Sequence, residues 1–301
     1  MRKMQCGESF YEKIPTFEYK IYRNMKRFLF ACAFTLLLCN VSYGWGVREH
    51  AAVAQIAEQH LTPEAKQLIA DYLKRRPMAY YACDADINRR TMYVDSGDKT
   101  GVAPKTVRFP HTFNVDKSFK PYRGVADKSG VFRKNMLYYV EQIAKDLKAN
   151  HRTMNDSVRL VHLSLLIHAV GDMHCPMHVV FEDKPSYGVY DIYFGKGKKK
   201  DKMTYHKVWD SKLVGTIHPW SYTEIAELLD IYNAKEIAKF SKGDIYAWGK
   251  EVAKVAYPAC EYGPGARIEE VEFRKKYQQT AELLVAKAGY RLAKLLNDIL
   301  K

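Results

Sequence analysis

The sequence predicts a mainly α-helical fold in which a single multi-helix domain carries one small β-hairpin. Through most of residues 45–301, apolar residues recur at three-to-four spacing, which is the period of an amphipathic helix. Helix-capping patterns open several of these segments. Only residues 187–194 have the pattern of a strand, and the lysine-rich residues 196–202 follow them, so this region is expected to form the hairpin.

The first helices are predicted from periodicity and capping. Apolar positions at helical spacing cover residues 48–60. Thr62 and Pro63 then suit an N-cap and a first helical residue, and this second helix is expected to end near Arg76 and Pro77. Residues 91–130 are rich in Gly, Pro, Asp and Lys and are expected to be mostly irregular, as long functional loops often are.

Helical patterns also dominate the second half of the chain. The predicted helices are residues 131–149, residues 157–174, a short helix opened by the Ser221–Glu224 capping box, residues 244–257 and residues 270–300. Residues 157–174 are almost continuously apolar, which predicts burial on all sides, and Pro176 ends that helix. Pro258 is expected to end the helix over residues 244–257.

The amino end has the order of a secretory signal peptide. Residues 1–24 are polar, and Met25, which could be the true start, is followed by two basic residues and an apolar run over residues 28–39. That run of 12 residues is too short to span a bilayer comfortably. We expect residues 1–44 to be an upstream segment and signal peptide and residues 45–301 to be the mature domain.

Cleavage is expected directly before Trp45, because the small residues Ser42 and Gly44 stand at the −3 and −1 positions. A lipoprotein anchor at Cys39 is an alternative, but Leu38 occupies the position where a small residue would be required. The mature chain is therefore expected to be periplasmic or secreted, monomeric and without stable membrane association.

The net charge and the cysteine count indicate which partners the mature chain could bind and whether disulfides could stabilise it. The formal net charge is +14, and the first 44 residues carry seven Lys or Arg and three Asp or Glu, which leaves +10 on the mature chain. A basic excess favours polyanionic partners, although solvated lysines alone could account for it. The mature chain keeps three widely spaced cysteines, Cys83, Cys175 and Cys260, which do not form a disulfide framework.

Histidine and aspartate at four-residue spacing are the strongest chemical signal. His168 and Asp172 project from the same face of the predicted buried helix, and His178 follows just past the proline break. His206 and Asp210 repeat the spacing. One such pair can be an ordinary hydrogen-bonded pair, but two of them with a further histidine favour zinc, which binds imidazole and carboxylate. A buried Asp172 must itself be paired or bind a metal.

Seven short motifs occur in one order along residues 45–300. They are Trp45-Gly46-x3-His50, Ala85-Asp86-x2-Arg89, His111-x2-Asn114, residues 168–178, residues 206–211, Trp248-x2-Glu251 and residues 288–297. Together they resemble the zinc-dependent single-strand nuclease and 3′-nucleotidase family of the S-one/P-one type. The resemblance implies a zinc phospholipase C / nuclease-like fold.

The resemblance also implies a centre of three zinc ions. Asp86, His111, His168 and Asp172 would hold the first ion, and His178, His206 and Asp210 the second. The third would be held by the amino group and carbonyl of Trp45, by His50 and by a bridging Asp172. An α-amino group has a pKa near 8, so a metal can displace its proton once the signal peptide has been removed. His174 is expected to support these ligands indirectly.

The implied reaction is phosphoester hydrolysis. Asp86 would orient an attacking hydroxide, and Arg89 would stabilise charge on the phosphoryl oxygens, unless it is an ordinary surface arginine. The family implies cleavage of phosphodiester bonds in single-stranded DNA or RNA and of 3′-phosphates of nucleotides, leaving 5′-phosphate products. The alternatives are a zinc-dependent phospholipase C and a non-catalytic exported zinc-binding protein.

The sequence departs from the family near the expected base-binding region. Residues 183–188 lack the Gly-Gly-Asn of the family, Thr204 and Tyr205 replace Asn-Leu before His206, and Thr112 stands where an aromatic residue often follows the histidine. The proposed zinc ligands are all present. Hydrolysis is therefore a firmer expectation than any base preference.

Overall fold

The chain folds mainly into helices. The computed structural model describes residues 45–87, 93–94, 106–107, 109–126, 132–184, 188–196, 201–214 and 221–301. The predicted signal peptide and Arg89 lie outside these residues. The helices are α1 (Val47–Gln59), α2 (Pro63–Tyr72), α3 (Met78–Tyr81), α4 (Asp84–Ile87), α5 (Met136–Asn150), α6 (Asp156–Met173), α7 (Tyr205–Lys207), α8 (Tyr222–Leu229), α9 (Ala234–Phe240), α10 (Ile245–Ala259) and α11 (Glu270–Ile299).

The helix starts follow the capping signals in the sequence. The Thr62 side chain accepts a hydrogen bond from the Ala65 amide, with Pro63 as the first residue of α2. Ser221 and Glu224 form the expected capping box at the start of α8. An equivalent box between Asn233 and Glu236 opens α9, a helix that periodicity did not predict.

Two predicted helix ends were wrong. Helix α2 ends at Tyr72, because Lys74 and Arg75 adopt left-handed φ angles of 53° and 59° and the Arg75 amide donates to the Ala70 carbonyl. Helix α10 continues through Pro258 to Ala259. A proline so near the carboxyl end removes one amide donor but leaves few later turns to disrupt.

The core forms where α1, α6 and α11 pack together. Every described residue from His162 to Met173 of α6 is buried, as the continuous apolar pattern predicted. Gly289 allows α11 to approach α1 closely, since a Cβ atom there would lie 2.5 Å from Ile56 Cγ2. Among the described residues, the three cysteines are buried and free. No described helix has the length and apolar character needed to cross a membrane.

The strands are short, each of two to four residues. They are β1 (Tyr93–Val94), β2 (Thr106–Val107), β3 (Phe113–Val115), β4 (Gly124–Ala126), β5 (Phe132–Lys134), β6 (Val179–Phe181), β7 (Asp191–Phe194), β8 (Lys202–Thr204) and β9 (Arg267–Ile268). Strands β7 and β8 form the expected antiparallel hairpin, with Ile192 opposite Met203, and β9 adds in parallel to β7.

Several strand pairs were not expected from the sequence. Strands β1 and β2 pair antiparallel within residues 91–130, which we predicted to be mostly irregular, and β4 from the same region pairs antiparallel with β5. Strand β5 occupies the start of residues 131–149, which we predicted to be helical throughout, and the helix there begins only at Met136. Strands β3 and β6 pair in parallel, with Phe113 opposite Val179 and Val115 opposite Phe181. The sequence did not predict these strand pairs, because strands of two or three residues are too short to show an alternating pattern. The prediction of a mainly α-helical fold is confirmed.

Candidate metal centre

The carboxyl end of α6 presents His168 and Asp172 side by side. Both residues are fully buried, and His168 Nε2 lies 3.0 Å from Asp172 Oδ2. His168 Nδ1 bonds the Ala82 carbonyl at 2.8 Å, so Nδ1 carries the proton and Nε2 faces the carboxylates. Burial lowers the pKa of His168, but nearby Asp172 and Asp86 outweigh it and raise this pKa to about 9.

His111 and Asp86 meet α6 from two other segments. His111, which precedes β3, places Nδ1 2.8 Å from Asp172 Oδ2 and 3.7 Å from Asp86 Oδ1. Asp86 lies on the single turn α4 and is buried, with Oδ1 3.9 Å from His168 Nε2. Side chains from segments distant in the chain therefore lie close together at the end of α6.

His50 reaches the same point from α1. Its Nε2 lies 3.2 Å from Asp172 Oδ1, and its ring stacks on His168 with the centroids 4.2 Å apart. This approach requires glycine at position 171, because a Cβ atom there would lie 2.6 Å from His50 Nδ1. Burial and the neighbouring His168 lower the pKa of His50, which favours its neutral form.

The parallel pair β3 and β6 holds two of the predicted ligands. His111 lies two residues before β3, and His178 immediately precedes β6. His178 Nδ1 donates a hydrogen bond to the His111 carbonyl, so its Nε2 remains available to a ligand. Burial lowers the pKa of His178 to about 3, and the side chain is therefore neutral at physiological pH.

A second group of side chains lies around Asp210. His206 Nε2 is 3.1 Å from Asp210 Oδ2, with His206 on α7 and Asp210 on the π-helical turn Val208–Lys212 that follows. The His178 and His206 rings are 4.9 Å apart between centroids. This group brings together the three ligands predicted for the second ion.

Cys175 also belongs to this group, although the sequence did not single it out. Its Sγ donates a hydrogen bond to Asp210 Oδ1 at 3.3 Å, and both residues are buried. Burial raises the pKa of the Cys175 thiol, so the thiol keeps its proton. Its position three residues after Asp172 and three before His178 was the available signal.

Trp45 adjoins the second group through the main chain. Its side chain is fully buried, and the next residue, Gly46, donates its amide to the Asp210 carbonyl at 2.5 Å. The start of the expected mature chain is therefore anchored beside a predicted ligand.

The side chains present suit zinc. In the described part of the chain, both ring nitrogens of His50, His178 Nε2 and Asp172 Oδ1 are buried without a hydrogen-bond partner. Leaving such atoms unsatisfied costs about 1–3 kcal/mol each, which metal coordination would offset. Donor atoms lie within 4.8 Å of one another in three sets: His50, Asp86 and His168; His111, His168 and Asp172; Cys175, His178 and Asp210. Such spacing accommodates ligand distances of about 2.0–2.3 Å.

His174 does not support the ligands in the way we expected. Its Nδ1 donates to the Val170 carbonyl at 2.7 Å, and its Nε2 accepts from Arg291 at 2.9 Å. Arg291 is buried and also pairs with Glu251. The motifs that contain Glu251 and Arg291 therefore form a structural ion pair beneath the end of α6.

The part of the chain that contains this centre is similar to a known protein family and to several known nucleases. The S1/P1 Nuclease family model matches residues 45–301. Nuclease S1 of Aspergillus oryzae is 24% identical over 91% of this chain and 98% of its own length. Nuclease P1 of Penicillium citrinum is 22% identical over 85% of this chain and 97% of its own length. Endonuclease 1 of Arabidopsis thaliana is 27% identical over 46% of this chain and 48% of its own length.

Proposed function

We propose that this chain, which belongs to the S1/P1 nuclease family, is an exported zinc-dependent hydrolase of single-stranded DNA and RNA. We further propose that it removes 3′-phosphates from nucleotides and leaves 5′-phosphate products. The observation that carries this proposal is that two groups of histidine and aspartate side chains, all buried except the partly exposed His111, lie next to each other. They are His50, Asp86, His111, His168 and Asp172, and His178, His206 and Asp210.

The proposed ligand assignment is the one that the family resemblance implies. Asp86, His111, His168 and Asp172 would hold one zinc ion, and His178, His206 and Asp210 a second. The amino group and carbonyl of Trp45, His50 and Asp172 would hold a third. Zinc in this centre would supply positive charge to phosphoryl oxygens and lower the pKa of an attacking water.

The protein side chains would orient the reaction. The Ala82 carbonyl accepts a hydrogen bond from His168 Nδ1, and the His111 carbonyl accepts one from His178 Nδ1, which directs the Nε2 atom of each ring into the centre. Asp86 is buried beside His111 and His168 and would accept a proton from the attacking water while orienting it. Arg89, three residues further on, would stabilise charge on the phosphoryl oxygens.

Export would complete the centre. A free α-amino group at Trp45 exists only after cleavage of residues 1–44, so assembly of the third site would depend on signal removal. The anchoring of Gly46 on the Asp210 carbonyl supports this reading, because it holds the start of the mature chain against the second group.

A substrate panel tests the function directly. Zinc-loaded protein that begins at Trp45 would be assayed in parallel on single-stranded DNA, single-stranded RNA, 3′-AMP and phosphatidylcholine. We expect hydrolysis of the first three and inorganic phosphate from 3′-AMP. Turnover of the lipid alone would instead indicate a phospholipase C, and retained zinc without any turnover would indicate a binding protein.

A further inference from the structure

A basic groove of about 630 Å³ lies apart from the metal centre. Its charged and aromatic lining consists of Lys120, Tyr122, Arg123, Tyr246 and Lys250. The lining contains three cationic side chains and no carboxylate, and none of the proposed zinc ligands belongs to it. This groove therefore lies close to the metal centre along the chain but is not part of it.

The chain path connects the basic groove to His111. From His111 the chain runs along β3, turns, and returns beside it, with Pro121 opposite Val115 and the Tyr122 amide donating to the Asn114 carbonyl at 2.9 Å. The Asn135 amide donates to the Arg123 carbonyl and the next amide, of Met136, donates to the Thr112 carbonyl, so Arg123 lies near the residue that follows His111. Since a strand rises about 3.3 Å per residue, the basic groove begins near the metal centre and extends roughly 10 Å away from it.

The groove wall is fixed to the strands that carry the histidines. The buried Asn135 donates its side-chain amide to the Tyr122 carbonyl at 2.7 Å and its main-chain amide to the Arg123 carbonyl at 3.1 Å. The Tyr122 hydroxyl donates to Glu182 at 2.9 Å, and Glu182 directly follows β6, which begins after His178. The position of the groove relative to the metal centre is therefore well defined.

Positive charge predominates along this wall. Glu141 accepts from both Arg123 and Lys145, each at 2.9 Å, so two cations share one carboxylate. Lys120 and Lys250 are exposed and add two further charges. The Arg123 guanidinium lies 5.5 Å from the centroid of the Tyr246 ring. Alternating basic and aromatic groups are typical of surfaces that bind single-stranded nucleic acid without sequence preference.

We propose that the basic groove binds the sugar-phosphate backbone of a single-stranded nucleic acid next to the nucleotide at the scissile bond. This inference rests on the proposed function for its substrate class. The groove contributes binding energy only to substrates long enough to reach it, so it distinguishes polymers from mononucleotides at one active centre.

Charge reversal at Lys120 and Lys250 tests the inference. With two phosphate contacts removed, the salt dependence of log KM for single-stranded DNA should flatten by about 1.4, which corresponds to a roughly ten-fold higher KM at 0.15 M salt. The KM for 3′-AMP and the kcat for both substrates should stay unchanged. Lys235→Glu with Lys239→Glu, which removes the same charge from exposed positions of α9, is the matched control.

Direct binding separates failure of the groove from failure of the proposed function. The probe is a fluorescent phosphorothioate oligothymidylate of about 12 nucleotides, followed by anisotropy with the zinc-loaded protein. Weaker binding by the Lys120→Glu, Lys250→Glu variant than by the α9 control supports the groove, even if the wild type hydrolyses nothing. Equal binding by both variants, or an equal rise of KM for DNA and 3′-AMP, overturns the proposal.

Discussion

The approach of His50 to Gly171 gives a sharp test of the metal centre. An alanine at position 171 would place Cβ 2.6 Å from His50 Nδ1 and 2.9 Å from Cε1. Non-bonded contacts require about 3.5 Å, so the ring must move by roughly 0.9 Å. Metal–ligand distances tolerate only about 0.2 Å, and His50 would therefore leave its coordination position.

The effect on folding should be smaller than the effect on metal binding. Overpacking costs about 1–3 kcal/mol, whereas replacing glycine with alanine within a helix stabilises it by about 1 kcal/mol. The net loss of about 0–2 kcal/mol corresponds to a Tm lower by at most roughly 8 °C. We expect the Gly171→Ala protein to fold, to retain two zinc ions rather than three after dialysis, and to lose most of its activity.

Elemental analysis, circular dichroism and 3′-AMP turnover measured on one preparation check this prediction. Gly249→Ala is the control, because a Cβ atom there would lie 3.1 Å from Leu137 Cδ1, 3.3 Å from Pro121 Cγ and 3.4 Å from Phe113 Cε2, and none of these atoms belongs to a proposed ligand. A Gly171→Ala protein with three zinc ions and normal turnover would refute the proposed role of His50.

Other changes probe separate parts of the centre. Asp86→Asn should abolish turnover, measured with 3′-AMP, while elemental analysis shows most zinc retained; normal turnover would exclude its role in orienting water. Protein with an uncleaved tag before Trp45 should contain fewer zinc ions than protein that begins at Trp45, and an equal count would remove the amino group from the site. Cys175→Ala removes the thiol donor to Asp210 and should weaken zinc affinity by about 10–100-fold in a chelator competition, whereas Cys175→Ser should restore part of it. An unchanged affinity in Cys175→Ala would mean that the thiol does not position Asp210.

Local signals in the sequence predicted the helices and much of the candidate centre. The capping residues Thr62 and Ser221 act through contacts with nearby residues, so their effects can be predicted from a short segment. The spacing of His168 and Asp172 fixes their common face because both belong to one helix. The motifs also grouped His111 and Asp86 with them, and the structure brings these side chains together.

Features that depend on distant contacts could not be predicted in the same way. The pairing of β3 with β6 joins segments separated by more than 60 residues and involves only three residues from each. The thiol of Cys175 gains its importance from Asp210, which another segment provides. His174 adjoins the ligands in sequence, but its ring bonds Arg291 instead, because the helix turns that face away from the centre.

The link between His178 and the His111 carbonyl also has a consequence for the order of folding. The two histidines are far apart in the chain, and they meet only when the short parallel ladder of β3 and β6 has formed. Non-local parallel pairing is a slow step because the intervening chain must first be ordered. Metal capture should therefore come late during folding, and a zinc ion held by Asp86, His111, His168 and Asp172 would close a long loop of the chain, much as a covalent cross-link does in proteins that contain disulfides.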